Sequence, residues 1–217
     1  MLALLERRDL PAAAVEQLGK NPAALKSRKV CVSLAAHPHA PRHVALRLLR
    51  RFYTFDLMAF ALQPAVTTDL KRVADELLVA RLASITLGER LTLARRSSGS
   101  VAAALLLDKE PSVARTALDN GRLTEAAVIK TLMRPAARAA LVEAICHHAK
   151  WSVRREVRVA LLRNRHTPLA RALEFARTLP PPLLRDVLHT SRLQEKIKTC
   201  LRKHLKSRKS SQSGTPG

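Results

Sequence analysis

Four times along the chain an apolar helical stretch stops and, a few polar residues later, another begins. Leu34-Ala-Ala-His37 gives way to a segment opening near Ala40-Pro41, with Val44, Leu48 and Leu49 on its inner face. Leu78-Val-Ala-Arg81 is followed by Thr86-Leu-Gly-Glu89, then Leu91 and Leu93. Ala117-Leu-Asp-Asn120-Gly121 leads to Leu123-Thr124-Glu125, then Val128, Ile129 and Leu132; Leu161-Leu-Arg-Asn164 leads to Thr167-Pro168, then Leu169, Leu173 and Ala176. Corresponding positions recur at roughly 38–46 residues, the period of helical solenoids. A unit of this kind cannot bury its apolar face alone and must stack on its neighbours.

The junction chemistry supports the reading. Asn120-Gly121 is a helix stop, because both residues tolerate the left-handed conformation at a C-terminus. Thr167-Pro168 is a start, with the threonine oxygen capping free amides and proline preset for the first turn. Thr86 and Glu89 have capping-box spacing. Thr124-Glu125 places a carboxylate in the positive first turn. Further apolar segments at Leu57–Leu62, Val101–Leu107, Ala139–Cys146 and Leu183–Leu188 add a third helix to each unit. The expected organisation is one helical domain over 1–206, with a cap at 1–24 and units near 25–66, 67–111, 112–150 and 151–206. Residues 207–217, basic and serine-rich, read as a disordered tail. Composition agrees with an all-α fold: 47% of the residues are hydrophobic but only 3% aromatic, and 6 glycines are too few for the turns of a large sheet.

Val153-Arg154, followed by Val159-Ala-Leu-Leu-Arg-Asn164 and Thr167-Pro168, resembles the core of leucine-rich-repeat-variant and HEAT-like units, in which a basic helix runs into Asn-Pro-x-Thr-Pro. Arg165 replaces the first proline; His37-Pro38-His39-Ala40-Pro41 keeps both prolines but exchanges the residues around them. The resemblance covers roughly Leu25 to Leu205 and implies a right-handed superhelical α-solenoid of HEAT or Armadillo type, with about four imperfect repeats and a macromolecule-binding role. It transfers no site, since one fold hosts many functions.

The charge points to the kind of partner. The chain carries 39 Lys and Arg against 17 Asp and Glu, a formal net charge of +22. The balance is +7 up to Glu110 and +15 beyond it. Such an excess favours an anionic partner, and nucleic acid, DNA or RNA, is the leading expectation. An acidic protein docking on a scaffold is the alternative. On a helix at Val153–Leu162, Val153, Val157, Ala160 and Leu161 form the buried stripe, and Arg154, Arg155 and Arg158 point away from it. In the last helix Leu193, Ile197, Cys200, Leu201, His204 and Leu205 make the apolar face, with Lys198, Arg202 and Lys206 at four-residue intervals outside it and Lys203 beside them. These seven cations, Arg154, Arg155, Arg158, Lys198, Arg202, Lys203 and Lys206, are the expected phosphate contacts.

Catalysis finds little support. Cys31, Cys146 and Cys200 are too isolated for a disulfide framework or a cysteine zinc site. His37, His39 and His43 cluster, as do Cys146, His147 and His148, but neither group has convergent metal-ligand spacing. No cofactor or metal is expected. Carboxylates are sparse, and no glycine-rich phosphate loop is present. The HEAT-like alkylpurine DNA glycosylases are similar in being basic solenoids, and they use an acid flanked by aromatic side chains; here Trp151 with Glu156 is the nearest approach. Trp151 is expected to anchor helix packing, and the cluster of Phe52, Tyr53, Phe55 and Phe60 to fill a helix junction in preference to forming a stacking platform or protein hot spot. The longest apolar run, Val101 to Leu107, is far short of the ~20 residues that span a bilayer, and the first residues meet charge too soon for a signal peptide. A cytoplasmic protein without membrane insertion is expected.

Overall fold

The computed structural model describes residues 2–7 and 9–212, with side chains through 206. Among these residues the chain is all-helical, with sixteen helices and no strand. It divides into two compact units, Met1–Ala104 with Asn120–Arg122, and Leu105–Asp119 with Leu123–Gly217.

The first unit holds α1 (Leu2–Leu5), α2 (Ala12–Lys20), α3 (Pro22–Leu25), α4 (Arg28–Ala36), α5 (Arg42–Leu49), α6 (Thr54–Ala61), α7 (Thr68–Arg81), α8 (Leu87–Arg96) and most of α9 (Gly99–Leu105). Helix α4 packs on α1 and on α6, and α5 packs on α7. Leu34, Leu48, Leu49, Leu57, Phe60 and Leu78 are fully buried, and Phe52 meets Phe60 edge-on with ring centroids 5.8 Å apart. Phe52 and Phe60 therefore fill the junction as expected, whereas Tyr53 and Phe55, expected there too, face solvent. A Cβ on Gly19 would lie 2.7 Å from Val44 Cγ1, so glycine lets α2 and α5 approach.

The second unit holds α10 (Pro111–Leu118), α11 (Glu125–Leu132), α12 (Ala139–His147), α13 (Arg155–Arg163), α14 (Leu169–Thr178), α15 (Pro181–Thr190) and α16 (Glu195–Gln212). Helices α10 and α12 pack together, as do α14 and α16; α13 packs on both α11 and α15. Contacts in this unit thus run mainly between every second helix, from one two-helix hairpin to the next, with α13 and α14 also packing on each other. Helices α10, α12, α14 and α16 start at 111, 139, 169 and 195, which is 26 to 30 residues apart.

The expected three-helix unit of 38–46 residues rests on junctions that are spaced differently from these hairpins. The junctions matched in the sequence join α4 to α5, α7 to α8, α10 to α11 and α13 to α14. They are every third connection, so their spacing measures one and a half hairpins. The two kinds of connection in a hairpin array face the same problem, stopping one helix and starting the next, and use the same residues for it. Their chemistry therefore hides the phase.

One device recurs at these connections. The side chain just past a helix accepts a hydrogen bond from the backbone N–H two residues on, and reaches back to the preceding hairpin. Asn164 Oδ1 accepts from His166 N at 2.9 Å while its Nδ2 donates to the Leu132 carbonyl at 2.8 Å. Asn120 does the same with Arg122 N and the Ala94 carbonyl, both at 2.8 Å. Ser191 accepts from Leu193 N at 3.1 Å and donates to Leu162 O at 2.8 Å. His37 Nδ1 accepts from His39 N at 3.2 Å, and its Nε2 donates to Arg7 O at 2.9 Å, which selects the Nε2–H tautomer. His148 accepts from Lys150 N and holds Asp119, each at 3.1 Å. Each staple satisfies polar groups that the helix ends leave open.

Local readings fare unevenly. The capping box of Thr86 and Glu89 is present, and Thr124 caps α11 through Ala127 N. Asn120-Gly121 does stop a helix, but no described residue has positive φ, so the stop works through the Asn120 staple and not through a left-handed turn. Thr167 does not cap α14; its hydroxyl donates to Leu161 O at 2.6 Å, and Pro168 occupies the N-cap position. Helix α16 runs past Lys206 to Gln212, into the segment expected to be tail, while 213–217 lie outside the described residues.

Candidate polyanion-binding surface

The seven cations expected to contact phosphate occupy different settings. Val153, expected in the buried stripe, precedes α13 and is 62% exposed, because the helix begins two residues later than the stripe suggests. Arg154, the N-cap residue of α13, donates to Glu125 Oε2 at 3.2 Å. Arg155 is exposed, with Glu156 at 4.0 Å. Arg158 is part of the packing: its Nε donates to Ser152 O at 2.6 Å, its Nη1 to Thr178 Oγ1 at 3.1 Å, and its guanidinium lies 5.6 Å from the Phe175 ring centroid. It is thereby withdrawn from the outward row.

Along α16 the expected stripe is present at Leu193, Ile197, Leu201 and Leu205, all buried, whereas Cys200 and His204 are half-buried. Lys198 was expected outside that stripe but is itself largely covered, with Nζ 2.9 Å from Glu195 Oε1. Arg202 lies 3.7 Å from the same carboxylate. The hydrogen bond from Lys198, with the charges of Lys198 and Arg202, holds the Glu195 carboxyl below its ordinary range. Lys203 and Lys206 are exposed on the same helix. Since α16 packs on α14, its cations and those at the start of α13 sit on different rows of helices.

A second cationic group escaped the sequence reading. The connections α11–α12, α13–α14 and α15–α16 line a concavity of about 340 Å³. Arg134, Arg163, Arg165 and Arg192 contribute to its wall with Met133 and His166, and no carboxylate does. Arg134, Arg163 and Arg192 are spaced by 29 residues, one from each successive hairpin. Arg163 has Asp186 at 3.8 Å, and its Nε is buried without a hydrogen-bond partner among the described residues. Arg165 Nε donates to His166 Nε2 at 2.9 Å. Arg134, Arg165 and Arg192 make no ion pair among the described residues. The equal spacing is visible in the sequence once the hairpin period is known; with the longer period, the three arginines fall out of register.

A larger groove of about 620 Å³ lies between α10 and α12, floored by Leu106, Leu118, Leu141 and Ala144 and edged by Arg115 and Glu143. It is open because the facing positions Ala114, Ala140 and Ala144 are small.

Features that could carry chemistry are built into the packing. Trp151 is 1% exposed, donates from Nε1 to Leu118 O at 2.8 Å and carries the Lys150 ammonium 4.3 Å from its ring centroid. It anchors the packing as expected. Glu156 is exposed, so the tryptophan and acid that the glycosylase resemblance brings together do not share a face. Burial pushes the Cys146 thiol up to about 12, which keeps it protonated and unreactive. His37 and His39 bond the carbonyls of Arg7 and Leu10. No group of three or more metal-ligating side chains converges among the described residues, and no helix there is long and apolar enough to cross a membrane.

Comparison with known proteins finds no match: no protein-family model, no curated protein and no solved structure is similar to this chain.

Proposed function

We propose that this chain is a non-catalytic helical-repeat protein of HEAT or Armadillo kind that binds a polyanion, nucleic acid in the first place, through the basic surface of its second unit. The observation that carries the reading is how the carboxylates there are used. Glu125, Glu156, Glu174, Asp186 and Glu195 each already face an arginine or lysine. The excess of +15 beyond Glu110 is therefore left to cations such as Arg134, Arg165 and Arg192, which no carboxylate among the described residues neutralises. Phosphates recruited to such a surface release counterions, and that release drives association.

The test is fluorescence-anisotropy titration of the full chain with labelled duplex DNA, single-stranded DNA and RNA across a salt series. Binding that weakens with a log–log slope of about −0.7 to −0.9 per phosphate neutralised supports the reading. Negligible binding near physiological salt overturns it. The apolar groove between α10 and α12 favours a second reading, a scaffold that docks a protein partner of acidic character. Capture of such a partner, abolished by Ala144→Asp, would select it.

A further inference from the structure

We propose that the concavity formed by Arg134, Arg163, Arg165 and Arg192 is the seat of a single phosphate group. The inference rests on the polyanion reading for the source of that phosphate, a nucleic-acid strand, but not for the site itself.

A helix C-terminus attracts a cation, so one arginine per connection would follow from the carbonyl ends of α11, α13 and α15 alone. That accounts for neither the concavity nor the fourth guanidinium, Arg165, nor the buried, unpartnered Nε of Arg163. Nearby guanidiniums repel one another, and a wall lined by four of them with no carboxylate is costly until an anion enters. The first unit disposes of its connection cations differently. Arg28 is held by Asp56 at 2.8 Å, and Arg81 donates to the carbonyls of Phe52 and Arg50. At the second unit's edge the backbone is fixed, while among the described residues only Arg163 of the four arginines has a carboxylate partner, Asp186 at 3.8 Å. Asn164 staples one connection, Ser191 the next, and Arg192 N donates to Arg163 O at 3.1 Å. An anion arriving there meets donors on a scaffold that is already ordered.

Phosphate suits the arrangement better than carboxylate. Its oxygens point in several directions and can take planar guanidinium forks from three different connections at once, whereas a carboxylate accepts in one plane. A volume of about 340 Å³ exceeds a bare phosphate, leaving room for an attached sugar.

The test uses the full chain and two probes, inorganic pyrophosphate by calorimetry and a 5′-phosphorylated oligonucleotide by anisotropy. The variants are Arg134→Gln, Arg163→Gln and Arg192→Gln. Arg95→Gln, at an exposed cation of the first unit, is the control. Circular dichroism verifies folding; because Arg134 and Arg192 are exposed, their variants keep the test valid if Arg163→Gln unfolds. The expected result is that wild type and the control bind pyrophosphate, and that each pocket variant binds about tenfold more weakly, as for the loss of one charge-assisted hydrogen bond. Absence of pyrophosphate binding, or binding unchanged in the folded variants, overturns the seat. Oligonucleotide binding that survives all the pocket substitutions leaves the polyanion reading standing and overturns a nucleic-acid strand as the source of the seated phosphate. Pyrophosphate bound through these arginines while the oligonucleotide is ignored upholds the seat and overturns the nucleic-acid reading.

Discussion

Replacing Trp151 with phenylalanine tests how successive hairpins are held together. The indole is 1% exposed, and its Nε1 donates to the buried carbonyl of Leu118, at the end of α10, at 2.8 Å. Phenylalanine removes the donor and leaves that carbonyl without its partner, at a cost of about 1–3 kcal/mol. It also opens a void; about 40 Å³ of unrelaxed space would add about 1 kcal/mol at ~24 cal/mol per Å³. The expected loss is therefore about 2–4 kcal/mol, a large fraction of the ~5–15 kcal/mol that typically stabilises a folded protein. Urea denaturation followed by far-ultraviolet circular dichroism measures it, since the substitution removes the only tryptophan and with it the fluorescence reporter. A loss below about 0.5 kcal/mol, the range of ordinary surface substitutions, would refute the assignment of this bond as a tie between hairpins.

Three further outcomes are expected. Gly19→Ala should destabilise by about 1–3 kcal/mol, as overpacking does, because the new Cβ meets Val44 at 2.7 Å; Gly88→Ala, with nothing within 4 Å of its Cβ, should stabilise α8 by about 0.4–1 kcal/mol, both read by chemical denaturation. Arg158→Gln should cost about 1–3 kcal/mol through its bonds to Ser152 and Thr178, so any affinity it loses should follow unfolding, whereas Arg155→Gln should leave stability within about 0.5 kcal/mol. Burial raises the Asp75 carboxyl against the opposing hydroxyls of Ser98 and Ser100; the native state then binds its proton more tightly than the unfolded chain, and stability falls as pH rises from the ordinary value of 3.8 through the raised one. Asp75→Asn should accordingly gain on wild type in denaturation near about pH 7 and lose that gain toward about pH 4.

The helical class, the caps at Thr86 and Thr124 and the buried stripe of α16 were legible in the sequence because each depends on residues within a turn or two of one another. The pairing of helices into hairpins was not, because Asn120 and Asn164, which follow α10 and α13, use one hydrogen-bonding pattern. Side-chain direction was the other blind spot. Spacing placed Arg158 and Lys198 outside their stripes, yet a long side chain bends back wherever a carbonyl or a carboxylate is close, as Ser152 and Glu195 are. Arg134, Arg163 and Arg192 lie at the ends of three separate helices, 29 residues apart, and the packing of those helices brings them to one wall.

The staples from His37, Asn120, His148, Asn164 and Ser191 span 26 to 32 residues, so each fastens a hairpin to its immediate neighbour and to nothing farther away. Under tension, a unit joined in this way should give way in instalments. Releasing one hairpin of about 28 residues would pay out about 100 Å of extended chain, and the hairpins behind it would keep their own fastenings. An optical-tweezers trace of the second unit should then resemble a staircase of nearly even steps, with the load on each step borne by a few hydrogen bonds at one connection.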